Sequence, residues 1–339
     1  MSAEKEARWW TPLTDGKTSC RLCPRGCVLS GGALGVCGAR KNTGGIVYSL
    51  GYGRPAAIAL DPIEKKPLYH FYPGTLTYSL GGLGCNMRCL HCQNASLSCA
   101  LEKDFDGLEI CAPDSIPENA LQSGCASISW TYNEPLVWSE FVIESMRAAK
   151  ARGIPSALVT AGLAHPEVWQ EFLPVMDACS LDIKGWGDAF YTRLTGFPGF
   201  AYVLQNARAA YQAGCHLEIV TNLMCGWNDD DASLAALAEW IARLSPDIPW
   251  HITASRPAHR LMQLKPTPES DILRAVAIGK NAGLSFVYGG NVANLEIQKT
   301  CCPHCAMELI LRSPFALRRK ILAAEAQCPN CGTRIYGRF

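Results

Sequence analysis

Between residues 76 and 288 short apolar runs alternate with longer stretches whose apolar residues recur every three to four positions. The first kind reads as strand and the second as amphipathic helix. Strands are expected over 76–80, 125–131, 156–160, 178–183, 216–223 and 250–253, with a closing strand-like run over 284–288. Helices are expected over 135–150, 166–173, 202–213, 233–244 and 269–282. Strands separated by helices of ten or more residues pair parallel, through right-handed crossovers. Six such units fall short of the eight of a closed barrel, so the expected fold is α/β, a partial (β/α)6 TIM-like barrel. Chemistry in such a fold gathers at the C-terminal strand ends. Cys85, Glu134, Thr160, Asp182, Lys184 and Asn222 all fall at those ends, and His251 lies on the sixth strand.

The flanks differ from this central part. The first ~70 residues are rich in Gly, Pro and Cys and lack helical periodicity, as in a metal-stapled segment. The expected organisation is a Cys-rich metal-binding segment over 1–72, the barrel over 73–295, and a zinc-ribbon-like segment over 296–339. Lys and Arg number 31 against 30 Asp and Glu, so no global field draws the chain to nucleic acid or a membrane. The start, MSAEKEARWW, has mixed charge and no apolar core of a secretory signal. No apolar run reaches the ~18 residues of a membrane span. These features predict a cytoplasmic protein with no membrane partner and no nucleic-acid partner.

Eighteen cysteines are far more than an ordinary enzyme carries. In a reducing compartment clustered cysteines bind metal more often than they form disulfides. Cys85-x3-Cys89-x2-Cys92 lies in a loop after a strand, preceded by glycines that let the backbone wrap close to a ligand. Three thiolates can hold three irons of a 4Fe–4S cubane and leave the fourth open for a small molecule. The competing reading is a zinc site completed by His91 or Cys99, although structural zinc sites usually use two C-x2-C pairs.

The C-x3-C-x2-C run after a first strand resembles the signature of the radical SAM superfamily. Gly84-Cys85-Asn86, Cys92-Gln93-Asn94, Thr131-Tyr132-Asn133-Glu134-Pro135, Asp182-Ile183-Lys184-Gly185 and Pro249-Trp250-His251 resemble enzymes of the pyruvate formate-lyase-activating type. Closer still is the AmmeMemoRadiSam system radical SAM enzyme. The segments from Asp61 to Leu68, Pro266-Thr267-Pro268 and Val287 to Val292 look like its lead-in and closing segments. The resemblance implies that Cys85, Cys89 and Cys92 are the catalytic cluster ligands and that S-adenosylmethionine (SAM) binds the open iron. Reductive cleavage then yields a 5′-deoxyadenosyl radical that takes hydrogen from a protein or peptide. It further implies an electron donor of flavodoxin or ferredoxin type, and Memo-like or AmmeMemoRadiSam system A proteins as candidate substrates or partners.

The same resemblance assigns cofactor contacts residue by residue. Glu134 would receive the SAM ammonium, Asp182 and Lys184 would lie beside its carboxylate, and His91 would pack near the adenine, where an aromatic residue is usual. His251 would lie near the nucleoside. Bottom-up alternatives exist for each: a helix N-terminal acid for Glu134, a surface ion pair for Asp182 and Lys184, and a satisfied core residue for His251.

The outer cysteines form two further groups. Cys302-x2-Cys305 and Cys328-x2-Cys331 match the zinc-ribbon pattern, a closed tetrahedral site. Between the pairs, Arg312, Arg318, Arg319 and Lys320 read as a basic face, solvated or docked on an acidic partner or RNA. Cys20-x2-Cys23-x3-Cys27-x9-Cys37 could hold zinc or a second Fe–S cluster, and spacing does not separate them. Two rivals to the activating-type enzyme follow: an activator of a glycyl-radical enzyme, and a non-catalytic Fe–S/zinc protein that binds RNA.

Overall fold

Eight strands form one sheet in which neighbours in sequence are neighbours in space. The computed structural model describes residues 5–339; residues 1–4, which open the N-terminal segment and the stretch read for a leader, lie outside it. In chain order the strands are β1 (Ala57–Pro62), β2 (Leu76–Gly81), β3 (Ser127–Trp130), β4 (Ser156–Thr160), β5 (Ala178–Asp182), β6 (His216–Leu223), β7 (Trp250–Ala254) and β8 (Val287–Gly290). β2 to β8 pair parallel in succession, and β1 pairs antiparallel with β2. β1 and β8 are the two edges of this sheet.

The closing run expected near residue 288 is a full parallel strand. β1 is an addition that sequence periodicity does not reveal. Its alternation is inverted, with apolar Ile58 and Leu60 facing solvent at 51% and 49% exposure. The helix expected from residue 135 opens as a 3₁₀ turn, Pro135–Trp138, and becomes α-helical over Ser139–Ala151. Helices Ser115–Gln122 and Asp188–Thr195 are also additions.

The alternation of the strands divides the sheet into two faces. Leu158, Cys179, Leu181, Leu217, Ile219 and Ile252 enter the main core on the face covered by the helices. The other face carries small and polar residues, and Ile63, Leu68 and Phe71 pack against its Ala157 and Ala178. The segment between β1 and β2 thus forms a floor under the sheet. Its backbone is pinned by Glu218 of β6, whose carboxylate accepts from the Tyr69 N–H (3.0 Å), the His70 N–H (2.8 Å), His216 Nε2 (2.9 Å) and His251 Nε2 (2.6 Å). Burial would raise this carboxyl, but hydrogen bonds from His216 and His251 hold it well below the usual range.

Two small antiparallel sheets of short strands lie within residues 5–49, and turns and irregular backbone make up the rest of this loop-rich segment. Buried Arg40 fixes them to the helix Ser139–Ala151 through a 2.5 Å ion pair with Glu140. At the other end a three-stranded antiparallel sheet spans Thr300–Lys320. Arg312 corrects the reading of a basic face. It is buried and donates to the Gln298 carbonyl, the Thr300 hydroxyl and the Tyr69 carbonyl of the floor. Arg318, Arg319 and Lys320 do face solvent. No helix among the described residues is long and apolar enough to cross a membrane.

His70 joins the floor to the C-terminal residues, with Nδ1 2.6 Å from the Tyr336 carbonyl and Nε2 2.6 Å from the Tyr288 hydroxyl. Burial pushes its imidazole down to about 3, while an unfolded histidine titrates near ~6.5. The unfolded state therefore binds the extra proton between those values, and stability falls as pH drops through that window. Going from pH 7 to pH 5 is expected to cost on the order of 2 kcal/mol through this group. Denaturation midpoints at both pH values check this, with His70→Gln showing a flatter dependence. Identical pH profiles for the two proteins would sink the assignment.

Candidate active site

β2 runs out of the sheet at Gly81 into the loop that carries Cys85, Cys89 and Cys92. The Asn133 side chain clamps that loop, accepting from Gly82 N–H and donating to Gly84 C=O, both at 2.9 Å. Gly84 has φ +91°, and a Cβ there would lie 2.4 Å from the Cys37 carbonyl oxygen. That position tolerates only glycine. The Cys85 N–H then donates to the same carbonyl at 3.1 Å, and the Arg88 and Leu90 N–H groups donate to Thr195 and Leu194. The loop is therefore held on both sides by backbone.

Burial raises the Cys85 thiol well above its ordinary value, helped by the Glu134 carboxylate and Cys89. Burial likewise pushes Cys89 up to about 11, against the lowering effect of the Lys184 ammonium. Metal loading must displace protons from both. The Lys184 ammonium bonds Asp182 Oδ2 at 2.5 Å. Burial alone would lower this lysine, but Asp182 and Cys89 overcome it and keep the ammonium charged. His91 is pushed down to about 4 by burial and by Lys184, so its ring is neutral at pH 7.

Glu134 is buried and its oxygens are engaged by three donors: Thr160 Oγ1 at 2.5 Å, Ala161 N–H at 2.9 Å and Leu136 N–H at 3.2 Å. It caps the 3₁₀ turn that follows it. Thr160 is thereby a support for Glu134. His251 lies on the same rung of the sheet as Asp182, with Val220 between them, at roughly 10 Å lateral separation from strand spacing. Its ring is packed by Tyr69 and Tyr288 and bonded to Glu218.

The three central cysteines, His91, Glu134, Asp182 and Lys184 are thus gathered at the ends of β2 to β5, while His251 sits in the Glu218 network. Sequence reasoning missed Asn133 and Tyr191, whose hydroxyl accepts from the Lys184 N–H at 3.2 Å. Asn133 stands inside a motif already singled out, so its clamp had a signal; Tyr191 had none.

Asp182 Oδ1, His91 Nδ1 and Asn222 Oδ1 are buried without a partner among the described residues. Such orphaned groups are costly unless a ligand satisfies them. The three central thiols do not reach the 4.8 Å mutual spacing that marks single-ion sites among the described residues. A cubane binds each thiolate to a different iron and so spreads them. These residues fit a 4Fe–4S cluster with a polar ligand beside it.

Cys302, Cys305, Cys328 and Cys331 do converge, with all four sulfurs within 4.8 Å of one another. Sγ–Sγ distances are 3.5 Å for Cys302–Cys331 and 3.6 Å for Cys305–Cys328. Hydrogen bonds from Asn330 and the Met307 N–H lower the Cys305 thiol to about 6, favouring the thiolate a metal needs. This group can hold a metal ion. Cys225, Asp229 and Asp271 converge as tightly.

Residues 80–240 match the radical SAM superfamily. The chain is 35% identical to an uncharacterised protein of Methanocaldococcus jannaschii, over 98% of each. It is 27% identical to the isethionate sulfite-lyase activating enzyme of Desulfovibrio desulfuricans, over 56% of this chain and 65% of that enzyme. It is 28% identical to the pyruvate formate-lyase 1-activating enzyme of Escherichia coli, over 46% of this chain and 65% of that enzyme. The chain spans just under two thirds of the length of these two activating enzymes.

Proposed function

We propose that this chain is a radical SAM enzyme, on the match of residues 80–240 to that superfamily, and that Cys85, Cys89 and Cys92 hold a 4Fe–4S cluster that cleaves SAM to abstract hydrogen from a protein or peptide. The observation that supports this best is the convergence of the Cys89 thiol, the Lys184–Asp182 pair and neutral His91, with orphaned polar atoms beside them. We read the sequentially ordered parallel sheet as a partial barrel with this site at its C-terminal rim, and the protein as cytoplasmic.

Cluster and SAM together supply a reducing electron and a reactive carbon radical; the chain binds, orients and shields. Lys184, kept charged by Asp182, offers a cation to the SAM carboxylate. Asp182 Oδ1 accepts from a donor on the cofactor. A carboxylate has about four lone-pair sites, so Glu134 keeps one for the SAM ammonium beyond its three donors. His91 presents a flat, uncharged ring to the adenine. His251 acts through the floor that backs this face.

The activating enzymes among the relatives support a protein substrate and a reductant partner; we take the electron donor to be of flavodoxin or ferredoxin type. The AmmeMemoRadiSam resemblance of the flanks directs the search to Memo-like and AmmeMemoRadiSam system A proteins. Activation of a glycyl-radical enzyme is the second reading, favoured by the same relatives. The test is anaerobic reconstitution followed by SAM and dithionite, with 5′-deoxyadenosine as the expected product. A protein with a filled cluster and no product would overturn the proposal.

We assign zinc to the C-terminal group, since a Zn–S bond of about 2.3 Å gives tetrahedral edges of about 3.8 Å, close to the sulfur distances above. Cys328→Ala is expected to release that zinc and lower stability by several kcal/mol, while cluster iron stays unchanged. Loss of iron in this variant would contradict the assignment.

A further inference from the structure

We propose that Cys20, Cys23, Cys27 and Cys37 hold a second iron–sulfur cluster, through which the electron enters the radical site. This rests on the function proposed above only for the identity of what receives the electron.

Four thiolates suit zinc and a cubane alike, so the arrangement of the sulfurs decides between them. The four belong together: the Cys23 thiol feels Cys37, Cys20 and Cys27, and Cys37 feels Cys20 and Cys27. Yet among the described residues no three of these sulfurs lie within 4.8 Å of one another. The C-terminal group of the same chain shows what single-ion convergence looks like, and this group lacks it. A cubane needs the wider spread, because each thiolate takes its own iron. Two guanidiniums offset the negative charge of such a centre: buried Arg40 beside Cys20 and Cys37, and Arg25 beside Cys23 and Cys27.

The second line of argument is position. Cys37 C=O accepts from Cys85 N–H at 3.1 Å, so seven covalent bonds and that hydrogen bond join the two sulfurs. Arg25 also feels Cys85 and donates to the Asn86 carbonyl at 2.5 Å. Arg88, from the radical loop, reaches back to the Val36 carbonyl. The two cysteine groups are thus joined directly through the backbone. Cys27 is partly exposed and lines a solvent-open groove with Arg25, Val28, Val36 and Phe197. The electron therefore has a way in at Cys27 and a way out at Cys37.

In the step itself an external one-electron donor protein reduces this cluster from the 2+ to the 1+ state. The electron passes to the cluster on Cys85, Cys89 and Cys92, and the first returns to 2+. No bond is made or broken, and no proton moves.

The experiment uses the full chain, reconstituted anaerobically, with iron, sulfide and zinc counted and the reduced state examined by electron paramagnetic resonance. The triple variant Cys85→Ala, Cys89→Ala, Cys92→Ala is expected to keep about four irons and a reduced-cluster signal. Cys23→Ser with Cys27→Ser is expected to remove that signal and keep the radical-site cluster. A triple variant without iron but with a second zinc overturns the cluster. In the double variant, turnover driven by reduced flavodoxin should fall at least tenfold, while dithionite-driven turnover is kept. Equal turnover with flavodoxin in both proteins overturns electron entry. Iron retained by the triple variant, beside a wild type that makes no 5′-deoxyadenosine, would sink the proposed function and leave this site standing.

Discussion

Cys89→Ala is expected to abolish 5′-deoxyadenosine formation, by at least ~10³-fold, or about 4 kcal/mol of barrier. Cys89 is the central thiol that Lys184 faces, so its loss removes one iron anchor and leaves the Lys184–Asp182 pair beside an empty position. Iron per chain should fall with activity. Stability should change little, since the loop is fixed by backbone bonds of Cys85, Arg88 and Leu90 rather than by the Cys89 side chain. Single-turnover assays under dithionite, with iron counted on the same sample, check both parts. Normal product from a Cys89→Ala protein would refute cluster ligation by this residue.

Glu218→Ala is expected to cost about 3–5 kcal/mol, the loss typical when one partner of a buried charged network is removed. Two backbone N–H groups and two imidazoles would lose their acceptor at once. Against a total stability of about 5–15 kcal/mol, much of the chain should unfold in mild urea. Glu218→Gln keeps an acceptor oxygen and should lose less. Midpoints of urea unfolding measure both, and a loss below ~1 kcal/mol in the alanine variant would show that the floor stands without this carboxylate.

The parallel units were legible because each repeats a short apolar run and an amphipathic helix, and each is stabilised by near neighbours. The central cysteines were legible because ligand spacing is local. What escaped was non-local. β1 hides because Ile58 and Leu60 point outward, against the usual pattern. His251 reads as a lone polar residue until folding brings Glu218 to it from the neighbouring strand. Arg312 reads as one of a basic run until the Tyr69 carbonyl, far away in sequence, takes its guanidinium. Glu134 was seen as a candidate ligand or a helix acid; its bond from the Leu136 N–H fits the second, while the Thr160 and Ala161 donors come from a strand end that sequence does not bring near it. Metal type at the outer cysteines was not legible at all, since sequence spacing sets which thiols are available and not how far apart their sulfurs stand.

β1 has a consequence for handling the protein. Among the described residues the outer edge of this strand has no partner in the sheet, and Ile58, Leu60 and Leu76 lie exposed around it. An open edge flanked by apolar side chains templates strand addition by another chain. Concentrated samples will tend to associate edge to edge and lose material as oligomers. Ile58→Lys would add charge at that edge and keep the molecules apart.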